Sequence, residues 1–174
     1  LVEGAEEKIF EALDWFALSE NESPRKGGKY GPYRQSERLG IYKEYIEELI
    51  KKGGAYYCFC TKERLDALRA SQSAAKEPIM YDGHCRSIGL EEAKTRLSEP
   101  RVIRLKIPAK KLIVKDEIRG EIEFESSLIE DSVLIKSDGF PTYHFAVVVD
   151  DHLMQITQII RGEEWLSSLP KHVV

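Results

Sequence analysis

Residues 137–152 of the chain read Ser137-Asp138-Gly139-Phe140-Pro141-Thr142-Tyr143-His144-Phe145-Ala146-Val147-Val148-Val149-Asp150-Asp151-His152. Asp138 and Gly139 predict a tight turn, since Gly adopts positive φ freely and Asp tolerates the geometry of a turn. Pro141 suits the first position of a helix, because its missing N–H would have no partner there. By propensity alone, the three valines that follow favour a strand.

The next segment predicts a strand followed by the start of a helix. Residues 156–160 read Ile-Thr-Gln-Ile-Ile, and an apolar run rich in β-branched side chains favours a buried strand. Arg161 and Gly162 follow directly. In open α/β sheets, ligands bind where a strand ends and the following helix begins. We therefore predict a ligand site at Arg161.

The composition indicates a soluble globular protein. The chain has 174 residues, of which 32% are charged and 42% hydrophobic. No apolar run approaches the roughly 20 residues of a membrane span, and no signal peptide opens the chain. Three cysteines without a secretory signal favour a reducing compartment.

The charge distribution gives a mixed signal for nucleic acid binding. The net charge is −4, whereas a generic nucleic-acid-binding domain is basic. Residues 101–115, however, hold six basic side chains and no acidic one. This stripe suits either a phosphate backbone or a solvated strand face.

The first third of the chain predicts two helices and a strand. Residues 1–16 have the apolar period of an amphipathic helix. Ser36 is a candidate cap for a second helix that runs to Lys52, and Gly53 and Gly54 are typical of a helix end. A short strand over residues 55–59 follows.

The middle of the chain differs in character. Thr61 is a candidate cap for one helix, and residues 90–97 have the spacing of another. Residues 102–107, 112–116 and 121–124 then predict strands, of which the last two suit a hairpin around Arg119-Gly120. This block interrupts the α/β pattern, which we expect to resume near Asp131 with a main-sheet strand over 133–136.

Several motifs together resemble the glutamyl-tRNA synthetase family. They are the run from Lys136-Ser137-Asp138-Gly139 to Arg161-Gly162-Glu163-Glu164-Trp165, Pro170-Lys171-His172, Gly31-Pro32-Tyr33-Arg34-Gln35-Ser36-Glu37-Arg38, Cys58-Phe59-Cys60 and Tyr81-Asp82-Gly83-His84-Cys85-Arg86. They cover essentially the whole chain in the family's order. The resemblance implies an α/β fold, part of a class I synthetase Rossmann-like catalytic domain. It also implies an inserted α+β connective domain that binds the tRNA acceptor stem.

The resemblance implies the division of the chain. We expect residues 1–57 and 131–174 to belong to an incomplete Rossmann-like domain, and residues 58–130 to form the inserted domain. The family's two ATP signature motifs, one expected before residue 1 and the other after residue 174, are not in the sequence, which also lacks an initial Met. The resemblance therefore implies a central fragment that is inactive alone and carries no catalytic residue.

The family's substrate positions fall on matching residues here. The resemblance implies glutamate binding by Tyr143, Val147 and Arg161, and since positions four apart share a face on a helix, we predict a helix from Tyr143 onwards. Val147 departs from members that carry Asn. Glu164 matches an ATP-binding position and Trp165 a pocket wall. The alternatives are a surface ion pair of Arg161 with a neighbouring glutamate and ordinary packing of the aromatic side chains.

Three cysteines resemble a zinc knuckle of the connective domain. Tetrahedral zinc requires four ligands, and the residue at the usual fourth position is Ser87, a poor ligand. Tyr81 has the spacing of a ligand in a related zinc-bearing paralogue. The candidate zinc ligands are therefore Cys58, Cys60, Cys85 and Tyr81, and a vestigial site without metal is the alternative.

The resemblance implies an enzyme that attaches glutamate to tRNA through glutamyl-adenylate, with ATP and Mg²⁺. It further implies a monomer in the cytoplasm or an organelle, with no membrane partner. Two alternatives stay open. One is the paralogue that glutamylates a queuosine base on tRNA, and the other is a non-catalytic synthetase-like module that binds RNA or a partner.

Overall fold

The helices and strands of the chain lie in two units. A computed structural model of the protein describes residues 3–174; Leu1 and Val2, the start of the first predicted helix, lie outside the described residues. One unit extends to Arg38, and the other runs from Leu39 to Val174.

The first unit contains helix α1 (Ala5–Trp15) and an irregular segment. The predicted helix is confirmed over these residues. Arg25 ties the two parts together through hydrogen bonds to Asp14 and Glu20, and Arg34 pairs with Glu6 at 2.6 Å. Surface ion pairs of this kind stabilise little individually.

The second unit carries the remaining regular elements. Its helices are α2 (Leu39–Lys51), α3 (Lys62–Ala75), α4 (Leu90–Thr95), α5 (Tyr143–Leu153) and α6 (Leu169–Val173), and its strands are β1 (Ala55–Cys58), β2 (Val102–Leu105), β3 (Leu112–Asp116), β4 (Gly120–Phe124) and β5 (Val133–Ile135). A 3₁₀ helix covers Glu163–Ser168, directly before α6. The predicted hairpin is confirmed as β3 and β4.

A three-stranded antiparallel sheet organises the second unit in the order β1-β2-β5. Ala55 faces Leu105, and Ile103 faces Ile135. The strand predicted over 133–136 therefore pairs with β2, a strand of the middle block, and not with a parallel neighbour. Strand pairs within residues 3–174 are antiparallel. The predicted boundaries at 57/58 and 130/131 stay a prediction.

Local signals predict several element ends. Gly53 adopts φ +76°, and the N–H groups of Gly53 and Gly54 bond back to the last turn of α2, as expected for a glycine-terminated helix. The Thr61 hydroxyl accepts a hydrogen bond from the Arg64 N–H and caps α3. Ser36, however, lies in a 3₁₀ turn (Gln35–Glu37), and α2 begins only at Leu39.

The main core explains why the valine-rich segment is a helix. Tyr42, Ile46 and Leu134 pack with Phe145 and Val149 on the inner face of α5. Each buried side chain of this size contributes about 1.5–3 kcal/mol, which outweighs the strand propensity of valine. The predicted helix is therefore confirmed.

Pro141 is not the first residue of that helix. The turn at Asp138 and Gly139 folds the chain back, so that the Thr142 N–H donates to the Leu134 carbonyl of β5 at 2.7 Å. The chain consequently stays extended through Pro141, and α5 begins at Tyr143 with Thr142 as its N-cap.

The strand predicted over residues 156–160 is wrong for the described structure. The segment is irregular, and Ile156, Ile159 and Ile160 are 49%, 56% and 88% exposed. Strand propensity requires a neighbouring strand to bind the backbone and cover the side chains. Within residues 3–174 no strand pairs with this segment.

None of the helices described over residues 3–174 combines the length and the apolar character needed to cross a bilayer.

Candidate functional site

Tyr143 is the first residue of α5, and the tight turn at Asp138 and Gly139 determines how the chain enters this helix. The Asp138 carboxylate accepts a hydrogen bond from the Phe140 N–H at 2.9 Å, and Gly139 adopts φ +83°. These contacts fix the approach to α5, so that the Tyr143 side chain projects half-exposed from its N-terminus. Val147 lies one turn further along α5 and is partly buried.

The structure brings Tyr143, Trp165 and Arg161 together. The two aromatic ring centroids are 5.2 Å apart. The guanidinium carbon of Arg161 lies 5.7 Å from the Tyr143 centroid and 5.9 Å from the Trp165 centroid. A cation within about 6 Å of an aromatic face is attracted to it. The three side chains thus form an aromatic corner around one positive charge.

Arg161 forms no ion pair with a carboxylate anywhere in residues 3–174. The expected alternative, a pair with a neighbouring glutamate, does not occur, because Glu163 pairs at 2.7 Å with Arg119 of the β3–β4 turn. Glu164 is exposed in the 3₁₀ helix, and its carboxylate lies against Gly162, where a side chain would collide with it.

Two histidines continue from Arg161. Nη1 of Arg161 lies 3.1 Å from Nδ1 of His172, and Nε2 of His172 lies 3.0 Å from Nδ1 of His144. His172 belongs to α6, whose first turn contains the buried Pro170, and His144 belongs to α5. The two helices thus extend a row of three side chains from Arg161 in the aromatic corner.

The environment of both imidazoles favours their neutral form. Burial lowers the pKa of His172 to about 4, with the positive charge of Arg161 acting in the same direction. Burial also lowers the pKa of His144, as do Lys171 and Arg161. A neutral imidazole has one donor and one acceptor nitrogen. In each neutral histidine of the row, one ring nitrogen therefore donates a hydrogen bond and the other accepts one.

A cavity of about 490 Å³ adjoins the two histidines. Its walls come mainly from α2, α5 and α6 and include Tyr45, Phe145 and Val149. Tyr143, Arg161 and Trp165 do not line it, although His144 and His172 do. This cavity and the aromatic corner are therefore separate features, and the two histidines lie between them.

The predicted zinc ligands also lie together. The Sγ atoms of Cys58, Cys60 and Cys85 are within 4.8 Å of one another, and those of Cys60 and Cys85 are 3.6 Å apart. The Tyr81 hydroxyl lies 3.3 Å from Sγ of Cys58 and 3.5 Å from Sγ of Cys60. Within the described residues, no histidine or carboxylate joins this cluster. Ser87 lines a cavity that none of the three cysteines or Tyr81 lines.

The three side chains Cys58, Cys60 and Tyr81 of this thiol–tyrosine cluster differ in the direction of their pKa shifts. Burial disfavours the Cys58 thiolate, but contacts with Tyr81 and Arg104 lower the pKa of this thiol. Burial raises the pKa of Cys60 to about 11 and raises that of Tyr81 as well. The Arg104 guanidinium stacks 3.8 Å over the Tyr81 ring.

The sequence patterns did not reveal the contacts of His144 and His172. The only available signal was the spacing of Pro170-Lys171-His172, which carries no information about contacts with Arg161. The two contacts join residues 11 and 28 positions apart in the chain. The His172–His144 contact depends on how α5 and α6 pack, and the Arg161–His172 contact depends on the path of the 3₁₀ helix between these two residues.

Comparison with known proteins supports one family. Residues 1–174 match the family described as tRNA synthetases class I (E and Q), catalytic domain. The chain is 58% identical to the glutamate–tRNA ligase of Gloeobacter violaceus, over 99% of this chain and 33% of that protein. It is 55% identical to the glutamate–tRNA ligase of Fusobacterium nucleatum, over 98% of this chain and 34% of that protein.

A solved structure has the same fold. The crystal structure of a glutamate tRNA ligase from Elizabethkingia meningosepticum, in complex with its amino acid, aligns with a TM-score of 0.91 and 45% identity. The match covers 99% of this chain and 36% of that one. The chain spans about a third of the length of the relatives it matches. It has the mixed helix-and-sheet fold of a class I synthetase catalytic domain, and it belongs to the family of class I tRNA synthetases for glutamate and glutamine.

Proposed function

We propose that the protein containing this chain is a glutamate–tRNA ligase, which joins glutamate to ATP as glutamyl-adenylate and transfers it to tRNA. One structural observation carries the proposal. The described structure holds Arg161 beside two aromatic rings and an imidazole, and no carboxylate within residues 3–174 forms an ion pair with it, although Asp151 is close enough to feel its charge. A guanidinium placed in this way is available to bind a carboxylate of the substrate.

The neighbouring residues have complementary roles in this proposal. The Tyr143 hydroxyl offers a hydrogen bond to glutamate, and Val147 supplies an apolar contact one turn along α5. Trp165 would form one wall of the glutamate site beside Arg161 and Tyr143 and limit access of water. Because these groups are positioned before the substrate binds, they lower the cost of orienting glutamate for attack on the α-phosphate.

ATP and tRNA are the other substrates in this proposal. Glu164, exposed beside Gly162, would accept hydrogen bonds from the ribose hydroxyls of ATP. Mg²⁺ would neutralise phosphate charge. Residues 58–130 would contact the tRNA acceptor stem, where the basic stripe of residues 101–115 suits a phosphate backbone. The free thiols of the chain support a reducing compartment, the cytoplasm or an organelle, and we propose that the protein acts as a monomer.

We also propose that the thiol–tyrosine cluster binds zinc. Two sulfurs bound 2.3 Å from a tetrahedral zinc lie about 3.8 Å apart, and Cys60 and Cys85 are 3.6 Å apart without rearrangement. Tyr81 supplies the fourth ligand atom that Ser87 does not. When bound, the metal would hold the segments that carry these residues in a folded arrangement.

Substitution of Arg161 tests the assignment of the glutamate site. In the intact protein, Arg161→Ala should lower kcat/KM for glutamate roughly a hundredfold or more, because a buried charged pair with substrate is lost. Arg119→Ala is the matched control, since this nearby arginine forms an exposed ion pair, and its effect should stay below about threefold. The readout is glutamate-dependent exchange of pyrophosphate into ATP, with the melting temperature as a check on folding.

The outcomes separate the candidate functions. If kcat/KM for glutamate in the Arg161→Ala variant stays within threefold of the parent value, the proposed glutamate site is contradicted. A protein without exchange activity would be a non-catalytic module. Glutamate attached to a queuosine base, and not to the terminal ribose of tRNA, would identify the paralogue.

A further inference from the structure

The row Arg161–His172–His144 constrains where the protons lie. A guanidinium donates hydrogen bonds and cannot accept them. At 3.1 Å from Arg161 Nη1, Nδ1 of His172 must therefore be the acceptor and carry no proton. A neutral His172 then has its proton on Nε2, which donates to Nδ1 of His144 at 3.0 Å.

We infer that His172 is a positioning residue for glutamate binding: its unprotonated Nδ1 holds the Arg161 guanidinium in place, and His144 fixes the tautomer that makes this possible. The inference rests on the proposed function, because it assigns a role to a contact of the proposed glutamate-binding arginine. Neither histidine needs to touch the substrate. Their effect would pass through the orientation of Arg161.

The geometry explains why Arg161 needs such a residue. The two cation–aromatic contacts, at 5.7 Å and 5.9 Å, attract the charge but leave the guanidinium free to rotate. The hydrogen bond to His172 is the directional contact. A bidentate bond to a carboxylate requires a fixed guanidinium plane, so loss of this contact should weaken glutamate binding while the charge stays in the pocket.

Neutral His172 has a second advantage over an acidic partner. A carboxylate in its place would neutralise Arg161 and compete with the substrate for the same donors. An imidazole accepts one hydrogen bond without adding a negative charge. The charged groups that face His172 are Arg161 and the adjacent Lys171, and the cavity beside it also exposes Glu48, Lys52 and His152.

Two variants of His172 in the intact protein separate positioning from packing. His172→Leu fills a similar volume but removes the acceptor, whereas His172→Asn keeps an acceptor close to the position of Nδ1. For His172→Leu we expect KM for glutamate to rise about tenfold, the size of one lost hydrogen bond to a charged group, with KM for ATP within about twofold. His172→Asn should recover most of the loss.

Arg161→Ala separates failure of this inference from failure of the proposed function. If Arg161→Ala impairs glutamate use and His172→Leu does not, the glutamate site stands and His172 has no positioning role. If neither variant affects glutamate use, the proposed site itself is wrong. Equal changes in KM for glutamate and ATP, or equal behaviour of His172→Leu and His172→Asn, would overturn the positioning role.

The histidine tautomers give a second readout that does not depend on activity. A long-range ¹H–¹⁵N spectrum of the unsubstituted protein near pH 7 should show His172 protonated on Nε2 and bare on Nδ1. In Arg161→Ala, the Nδ1 resonance should shift because its donor is gone. A proton on Nδ1 of His172 in the unsubstituted protein would overturn the inference even if every variant folded poorly.

Discussion

The hydroxyl of Tyr42 donates a 2.7 Å hydrogen bond to the carboxylate of Asp150 and thereby joins α2 to α5. Tyr42 is only 1% exposed, and its ring also packs edge-on against Phe145 at 6.4 Å between centroids. Because α5 carries both Tyr143 and His144 near its N-terminus, this contact helps to hold the helix that presents the candidate site.

Removal of this hydroxyl should destabilise the protein. For Tyr42→Phe we expect the free energy of unfolding to fall by about 1.5–3 kcal/mol, since the hydrogen bond of a buried hydroxyl to a partly buried carboxylate is lost. Tyr45→Phe is the matched control from the same helix, and its effect should be within about 0.5 kcal/mol. Urea unfolding measures both, and equal effects would show that the Asp150 contact contributes nothing.

Asp131 should be among the most sensitive carboxylates of the second unit. It is 6% exposed and accepts hydrogen bonds from the Tyr56 hydroxyl at 2.7 Å, the Ile107 N–H at 2.9 Å and Arg86 at 3.0 Å. Asp131→Ala leaves these donors buried without their acceptor. We expect a loss of about 3–5 kcal/mol in the free energy of unfolding.

The control for Asp131 is an exposed ion pair. Glu123 pairs with Lys111 across the β3–β4 hairpin, and both side chains are about half exposed. Glu123→Ala should cost less than about 1 kcal/mol. Chemical unfolding of the two variants gives the comparison, and a cost for Asp131→Ala below that of Glu123→Ala would contradict the role assigned to the buried carboxylate.

Zinc removal should disorder the segments around the thiol–tyrosine cluster. Protein purified without a chelator should contain close to one equivalent of zinc, and a chelator should lower the melting temperature, because a structural zinc contributes on the order of 10 kcal/mol. Tyr81→Phe should weaken zinc binding in a competition assay, while Tyr57→Phe should not. Less than a tenth of an equivalent by metal analysis would leave the three cysteines as buried thiols.

The free energy of unfolding should decrease as the pH is lowered through the range between the folded-state and unfolded-state pKa values of His172. Burial and Arg161 lower the pKa of His172 from 6.5 to about 4 in the folded state. Between these values the unfolded chain binds a proton that the folded chain does not, so the free energy of unfolding decreases as the pH falls through this window. Burial lowers the pKa of His144 as well, which adds to the effect in the same direction.

Comparison with His172→Asn isolates this contribution. The loss of unfolding free energy from pH 7 to pH 5 should be smaller in the variant than in the parent, as measured by urea titration at each pH. His84→Asn serves as the control for removal of an exposed imidazole. If the unfolding free energies of the parent and the His172→Asn variant depend on pH in the same way, His172 binds protons equally in the folded and unfolded states, which contradicts the prediction.

Much of the second unit could be predicted from local signals. The Gly53 helix end, the Thr61 cap and the β3–β4 hairpin each depend on a few neighbouring residues, and each is confirmed. The choice of helix for α5 needed more than propensity. It followed from the family's substrate positions, and burial of Phe145 and Val149 supplies its physical reason.

The failures have a common cause. Residues 156–160 have strand composition, but a strand exists only with a partner, and composition carries no information about what lies beside a segment. Pro141 likewise has the chemistry of a first helical residue, yet pairing of Thr142 with β5 postpones the helix. The contact between Arg161 and His172 joins an irregular segment to α6 across the intervening 3₁₀ helix, so no pattern within α6 alone predicts it.

The central position of β2 has a consequence for synthesis and truncation of the chain. One edge of β2 binds β1, which is made earlier, and its other edge binds β5, which is made later. Until residues 133–135 have left the ribosome, β2 exposes a row of unpaired backbone groups, and such an edge is open to pairing with other chains. A nascent or recombinant chain that stops between β2 and β5 should therefore aggregate more readily, whereas one that extends past Ile135 has its own strand to pair with this edge of β2.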